Sequence, residues 1–159
     1  MPERPDKANN RVMLCGVVTM SRLGMLQRLR RLSDRQRHLL LRASVLLGLA
    51  WIAVALLPFR KAIRFGSVPL GDGGAPVEDC LWAVEAASRR LPWRTMCIEK
   101  GLVTQRMLRS GGTDAVLHYG ARHEARTGKL EAHVWVTVDG RAVIGGAEAP
   151  DFALIASYP

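Results

Sequence analysis

Paired metal-ligand spacings are missing from this sequence, which contains neither a CxxC nor an HxxxH pattern. A structural zinc site, which needs such paired ligands, is therefore not expected. Cysteine is also rare, with three residues at positions 15, 80 and 97, and the charged N-terminus has no clean apolar core followed by a cleavage site. An odd cysteine count without a secretory pattern predicts a cytoplasmic protein with reduced thiols.

Acidic residues are scarce relative to basic ones, with 14 Asp and Glu against 23 Lys and Arg. The imbalance lies mainly in residues 1–42, where ten basic residues face three acidic ones; residues 43–159 hold thirteen against eleven. An Arg-rich arm suits anionic lipid, nucleic acid or an acidic partner, and a solvated helical arm is the alternative. We do not expect nucleic acid to be a partner, because the candidate chemistry described below lies outside the arm.

The N-terminal region, residues 1–66, reads as a basic arm followed by apolar helices. A helical pattern runs over residues 21–57, and Ser33 followed by Gln36 predicts an N-cap within it. Residues 43–57 are apolar on every side until Pro58, a stretch of fifteen residues where a membrane span needs about 20. We expect a buried or interfacial helix here, with a transmembrane span and docking onto a partner protein as alternatives.

Residues 67–159 read as an α+β core. A Gly-rich linker at 65–75 leads to two predicted helices at 76–91 and 97–109. Three antiparallel strands follow, and the last two are joined by a two-residue turn. The pattern behind this prediction is a strand at 114–119, a polar loop at 120–129, and a hairpin centred on Asp139-Gly140.

Cys97 stands where a proline-bounded loop gives way to an apolar-periodic run. This position predicts a thiol at a helix N-terminus, where free N–H groups and the helix dipole stabilise a thiolate. Thr95 is a candidate N-cap. The alternative for Cys97 is a small buried apolar residue, which is the interpretation that we favour for Cys80 in the middle of a predicted helix.

His133 lies on the face of its strand opposite the aliphatic residues. A histidine there is either exposed to solvent or lines a cleft, and Trp135 on the same face favours the cleft. His118 is a weaker candidate base, and His123 falls in the polar loop, where we expect a surface residue. The aliphatic face is formed by Ala132, Val134, Val136 and Val138.

A third group is needed to orient the imidazole of a Cys–His pair. With a two-residue turn at Asp139, positions whose numbers sum to about 279 face each other, so that His133 lies opposite Gly146. Asp139 itself is six residues from His133, about 20 Å along an extended strand. Glu148 or Asp151, beyond the third strand, remain as alternatives.

Three blocks of this sequence resemble the lasso peptide biosynthesis B2 proteins. They are WRTMCIEKGL at 93–102, LRSGGTDAVLHYG at 108–120, and residues 130–146 with LEAHVWV, DGR and VIGG. The likeness covers roughly residues 35–159, and the order and spacing of the blocks are more specific than any one of them. These proteins are transglutaminase-like cysteine peptidases that remove the leader from a lasso precursor.

The resemblance implies that Cys97 is the nucleophile and His133 the base of a transglutaminase-like peptidase with no metal or organic cofactor. The family's third residue is an aspartate across the hairpin, where this chain has Gly145 or Gly146. Three alternatives follow: a nearby acid such as Glu148 substitutes for it, the imidazole is oriented by a group that the sequence does not identify, or Asp139 is the matching residue and the hairpin has another register.

Partners also follow from the resemblance. The arm is too short and too Arg-rich for the leader-recognition domain that some members carry, which implies a separate recognition protein beside the precursor peptide and a lasso cyclase. A catalytically idle scaffold between these partners is the alternative function, and peripheral membrane contact through the arm and apolar helix is a further alternative. Trp82, Trp93 and Trp135 are candidates to line a peptide channel, with core packing as the alternative.

Overall fold

Helices precede a four-stranded antiparallel sheet in the computed structural model, which describes residues 32–69, 74–124 and 128–159. This arrangement confirms the predicted α+β class. Residues 38–159 form one compact unit. The helices are α1 (Asp34–Leu56), α2 (Phe59–Ala62), α3 (Arg64–Ser67), α4 (Val77–Ser88) and α5 (Cys97–Arg109). The strands are β1 (Ala115–His123), β2 (Leu130–Val138), β3 (Arg141–Ile144) and β4 (Ala153–Tyr158), with a 3₁₀ turn at Ala149–Asp151 before β4.

Helix α1 begins at a reciprocal cap, as the sequence predicts. The Gln36 N–H donates to Ser33 Oγ at 3.2 Å, and the Ser33 N–H donates to Gln36 Oε1 at 3.0 Å. Two of the N–H groups that a helix start leaves unpaired are thereby satisfied. The part of the helical prediction at 21–31 lies outside the described residues.

From residue 43 onward helix α1 is apolar on all sides, yet one face is buried and the other is exposed. It is long and apolar enough to cross a membrane by length and composition alone, and 39% of its most apolar window is buried within the protein. The buried residues are Leu39, Leu40, Ala43, Leu46, Leu47, Ala50 and Ala53. The exposed large residues along the helix are Leu41, Val45, Leu49, Trp51, Ile52 and Leu56.

The region predicted as a linker at 65–75 is partly helical. Helix α3 covers Arg64–Ser67, and Arg106 of α5 contacts it at Phe65. The Arg106 Nη1 group donates to the Phe65 carbonyl at 3.1 Å, and its guanidinium lies 4.4 Å from the centre of the Phe65 ring. Burial, and next the charge of Arg42, lower the pKa of Arg106. The linker prediction is therefore wrong for these residues, because a tertiary contact stabilises a helical turn.

The sheet has the order β3-β2-β1-β4, which makes β1 an inner strand. Strand β4 was not predicted. It lies at the edge of the sheet, and its Leu154 and Ile155 side chains are exposed. Edge strands bury little, so β4 lacks the apolar alternation by which strands are recognised in a sequence.

Strand β1 continues through His123, four residues beyond its predicted end. Residues 120–123, predicted as loop, pair with residues 130–133 of β2. The prediction is wrong because the polar side chains find partners across the strands: Arg122 Nε donates to Glu131 Oε2 at 2.8 Å.

Helix α5 packs against the centre of the sheet at Gly101. A Cβ atom at this position would lie 2.6 Å from Val134 Cγ1 and 3.4 Å from Leu117 Cδ1. The absent side chain allows helix and sheet to approach closely, and Leu117 and Val134 are buried beneath the helix. This contact fixes where the N-terminus of α5 stands relative to β2.

Candidate active site

Cys97 is the first residue of α5, as the sequence predicts, and it is half-buried. The N-cap position belongs to Met96, one residue later than the predicted cap at Thr95. The buried Glu99 carboxylate accepts the Met96 N–H at 2.9 Å and so fixes the chain just before the thiol. The N–H groups that open a helix have no intrahelical acceptor, and Cys97 stands among them.

A cavity of about 520 Å³ lies in front of Cys97. Residues from α4, from the loop before α5, from α5 itself and from the segment after β3 line it: Glu85, Arg94, Thr95, Cys97, Lys100, Val134, Ile144, Gly145, Gly146, Ala147 and Glu148. Lys100 Nζ lies 3.4 Å from Glu85 Oε1. The cavity therefore holds one thiol, two cationic and two anionic side chains, of which Glu85, Arg94 and Lys100 were not predicted.

His133 has its Nε2 atom 2.8 Å from the carbonyl oxygen of Gly145. A carbonyl oxygen only accepts hydrogen bonds, so Nε2 carries the proton and donates it to this contact. The Glu148 Oε2 atom lies 3.3 Å from the same nitrogen. In this tautomer Nδ1 bears the free lone pair, which is the form of imidazole that accepts a proton.

His133 is only 9% exposed, which excludes the solvent-exposed alternative that the sequence left open. The Trp135 ring centre lies 6.1 Å from its ring and the Phe152 ring centre lies 5.0 Å away. Since Val134 faces α5, strand alternation directs His133 to the other face of the sheet. His133 is not among the described residues that line the Cys97 cavity. Glu148 both lines that cavity and contacts His133.

Gly145 occupies a position that no aspartate fits. Its φ is +69°, and a Cβ atom there would lie 2.6 Å from the Val134 carbonyl oxygen. Side chains with a Cβ rarely adopt this conformation, and the overlap with a backbone atom has no easy relief. The backbone conformation and the overlap together explain why position 145 of this chain is a glycine.

The hairpin begins in the predicted register, because Val138 pairs with Arg141 and Thr137 with Ala142. A bulge then shifts the pairing by one residue, so that Val136 pairs with Ile144. The predicted position of Gly146 opposite His133 is not among the observed pairs. Asp139 sits in the turn with a φ of 50°, at the far end of β2 from His133. The structure does not bring Asp139 to the site, and the alternative hairpin register that would match it to the family's acid is not the one observed.

Glu148 is the acidic candidate that the fold brings to His133. Asp151 is held elsewhere, with its Oδ2 atom 3.3 Å from Arg122 Nη1. The hydrogen bond that Arg122 donates to Glu131, together with the negative charges of Glu131 and Asp151, raises the pKa of Arg122. Its guanidinium lies 4.5 Å from the centre of the Phe152 ring.

None of the three tryptophans proposed for a peptide channel lines the described cavity. Trp93 packs against Trp51 of α1, with ring centres 5.8 Å apart. Trp135 lies on the sheet face of His133, and Trp82 is part-exposed on α4. Trp93 and Trp135 are each adjacent in the chain to a cavity residue, Arg94 and Val134 respectively.

A second polar group surrounds His118 on the outer face of the sheet. Its Nδ1 atom lies 2.8 Å from Ser157 Oγ and its Nε2 atom 2.9 Å from Thr137 Oγ1. The Trp135 ring stacks on it at 5.5 Å, and burial lowers the pKa of His118. Ser157 belongs to the unpredicted strand β4, so the sequence carried no signal for this group.

Comparison with protein-family models gives a match over residues 39–157 to the transglutaminase-like superfamily. The match spans α1 through β4 and includes both Cys97 and His133. No curated protein and no solved structure matches the chain. Within the described residues, no three His, Cys, Asp or Glu side chains are grouped so as to hold a metal ion.

Proposed function

Because the chain belongs to the transglutaminase-like superfamily, which includes cysteine peptidases, we propose that it is a cysteine peptidase with Cys97 as nucleophile and His133 as base. Its substrate is the precursor of a ribosomally made lasso peptide, from which it removes the leader. This finer assignment rests on the sequence resemblance over residues 35–159. A separate leader-recognition protein and a macrolactam cyclase act with it.

One observation carries the proposal: the thiol at the start of α5 opens onto a cavity whose Glu148 also contacts His133. The His133 Nε2 proton is held by the Gly145 carbonyl, which leaves Nδ1 as the proton acceptor. A backbone carbonyl thus does the orienting that an aspartate does in a Cys–His–Asp triad. In the structure His133 faces away from α5 and does not line the Cys97 cavity, so the proposal requires the imidazole to come within reach of the thiol when the substrate binds.

The reaction follows the acyl-transfer pattern. The Cys97 thiolate forms a C–S bond to the carbonyl carbon of the scissile peptide, and the Cys97 N–H donates to the resulting oxyanion. The C–N bond then breaks, and the departing amine takes the proton that His133 received from the thiol. Water attacks the thioester with His133 as base, which releases the leader carboxylate and restores the thiol.

Charged groups in the cavity suit a peptide substrate. Arg94 and Lys100 line the same cavity as the thiol, and Lys100 lies one helical turn beyond Cys97. Glu85 holds Lys100 from α4. The wall after β3 is formed by Gly145, Gly146 and Ala147, whose small side chains leave the main chain accessible to an extended peptide.

The test is mass spectrometry of the precursor peptide incubated with this protein and the recognition protein. Wild type is compared with Cys97→Ala and His133→Ala, and each has a matched control of the same residue type, Cys80→Ala and His123→Ala. Cleavage at one junction by wild type and by both controls, lost in the two site variants, supports the peptidase. Cleavage by Cys97→Ala at the wild-type rate would rule it out.

A catalytically idle scaffold is the second candidate. The observation in its favour is that His133 is buried under Trp135 and Phe152 and does not line the cavity of Cys97. A scaffold binds the precursor without cleaving it, and its Cys97 alkylates at the same rate in wild type, Lys100→Gln and His133→Ala. A peptidase shows slower alkylation in both variants, since each removes a group that supports the thiolate.

A further inference from the structure

The exposed face of α1 forms an unusually uniform apolar surface. Large apolar residues recur along it at spacings of three and four, which places them in one stripe. We call this the α1 stripe, and it consists of Leu41, Val45, Leu49, Ile52 and Leu56. It extends over sixteen residues from end to end, about 22 Å of helix.

The α1 stripe offers almost no polar group to a partner. From residue 43 to residue 57 the single polar side chain is Ser44, and its Oγ already donates to the Leu40 carbonyl at 2.8 Å. Protein interfaces carry about one hydrogen bond per 100–200 Å² of buried surface. Hydrocarbon needs none, so the chemistry of the stripe fits lipid better than it fits a protein surface.

Basic side chains follow the α1 stripe directly. Arg60, Lys61 and Arg64, on α2 and at the start of α3, are all exposed and form no ion pair with any described residue. The chain as a whole carries a net charge of +9, which opposes close approach of a second copy. The same charge attracts an anionic lipid surface, where each basic residue near the headgroups strengthens binding.

The opposite face of α1 excludes a membrane span. Leu47 and Ala50 are fully buried within the protein, so lipid has no access to that side of the helix. A helix with one face in the protein core and the other apolar and exposed lies in the plane of the membrane interface. Trp51 is exposed beside the α1 stripe, and tryptophan is enriched at membrane–water interfaces.

From these observations we propose that the α1 stripe docks onto an anionic lipid bilayer, with Arg60, Lys61 and Arg64 on the lipid phosphates. The docking is peripheral and independent of the proposed peptidase activity. The docked helix is connected to the cavity through one contact: Trp51 packs against Trp93, and Arg94, the residue after Trp93, lines the cavity. A membrane-bound enzyme would thus hold its cavity beside the bilayer surface.

The experiment is co-sedimentation of the full chain with vesicles of phosphatidylcholine alone or with about 30% phosphatidylglycerol, over a range of salt concentrations. We expect binding to the anionic vesicles that weakens with salt, and about tenfold lower binding to neutral ones. The double variant Leu49→Glu/Leu56→Glu should lose at least tenfold in binding. The matched control, Leu130→Glu/Leu154→Glu, changes two exposed leucines outside the stripe and should bind as wild type does.

Circular dichroism and light scattering accompany each variant, and Cys97→Ala should bind vesicles like wild type. Folded wild type that ignores anionic vesicles would overturn the proposal. Unchanged vesicle binding by the Leu49→Glu/Leu56→Glu variant would also overturn the proposal, since the basic arm would then be responsible for the binding. A wild-type dimer that this variant makes monomeric, without vesicle binding, would assign the stripe to a second copy instead.

Discussion

The carbonyl oxygen of Gly145 lies 2.8 Å from the Nε2 atom of His133. This contact fixes the imidazole tautomer through a main-chain atom, and Gly145 is the residue that its backbone conformation requires. Glu148 adds a carboxylate at 3.3 Å from the same nitrogen. The imidazole is therefore held by two acceptors of different kinds, and their separate contributions can be measured.

Glu148 should contribute modestly to turnover, because the Gly145 carbonyl remains when the carboxylate is removed. We expect Glu148→Ala to lower kcat/KM for precursor cleavage about tenfold, or about 1.4 kcal/mol of transition-state stabilisation. Glu148→Gln keeps an acceptor oxygen and should lose less. Steady-state kinetics checks this, with Asp151→Asn as the control, for which we expect kcat/KM within twofold of wild type. A Glu148→Ala variant with the kcat/KM of wild type would exclude a role for Glu148 in the site.

Replacement of Gly145 by alanine should destabilise the protein more than replacement of Gly112. Both glycines have positive φ, +69° and +77°, but a Cβ at Gly145 would meet the Val134 carbonyl oxygen while Gly112 faces open space. Strain alone costs about 1–2 kcal/mol, and we expect about 3 kcal/mol or more at Gly145. Urea unfolding of the two variants measures the difference, and equal losses would refute the steric argument.

Two helical glycines should respond to alanine in opposite directions. Gly101→Ala places a methyl group against Val134 and should lower the free energy of unfolding by about 1–2 kcal/mol despite its gain in helix propensity. A Cβ atom at Gly48 in α1 would meet nothing within 4 Å, and Gly48→Ala should raise the free energy of unfolding by about 0.5–1 kcal/mol. Thermal and urea unfolding decide this, and a stabilising Gly101→Ala would show that the helix and sheet separate easily.

Stability should depend on pH through His118. Burial lowers its pKa in the folded protein below 6.5, so the unfolded chain binds the proton more readily. This stabilising contribution is complete above about pH 7 and is lost as the pH falls through 6.5 towards the folded-state pKa. We expect the free energy of unfolding to decrease over this range, measured by urea unfolding at a series of pH values.

The control for this pH dependence is a histidine that is not buried. His118→Gln should flatten the decrease between about pH 7 and pH 5, whereas His123→Gln, at an exposed position, should leave it as it is in wild type. The glutamine at 118 keeps a polar side chain between Ser157 and Thr137. An unchanged slope in His118→Gln would assign the pH dependence to other groups.

Local signals in the sequence were sufficient for α5 and for the β2–β3 hairpin. The proline before Cys97 and the periodic run after it define the helix start, and Asp139 followed by Gly140 defines the turn. Both depend on residues close in the chain. The placement of Cys97 at the first turn of a helix is therefore a direct consequence of the local sequence.

The surroundings of His133 depend on contacts that no local pattern encodes. The sequence places it opposite Val134, and the structure agrees, but its cover comes from Phe152 and its main-chain acceptor from Gly145. The bulge in the β2–β3 pairing decides which carbonyl points at the imidazole. Strand β4 was missed for a related reason, since an edge strand is defined by its pairing and not by its own apolar residues.

Gln105 of α5 is buried, and its Nε2 group donates to the carbonyl of Ala115 at 3.3 Å and to that of Tyr158 at 2.7 Å. These carbonyls belong to β1 and β4, so one amide joins the helix of Cys97 to strands that lie 10 and 53 residues away in the chain. The helix that carries the thiol is thus anchored by strands on both sides of a large gap in the sequence, and it is fully held only when β4 is paired in the sheet. The geometry of the reactive site therefore depends on an edge strand that contributes no residue to it.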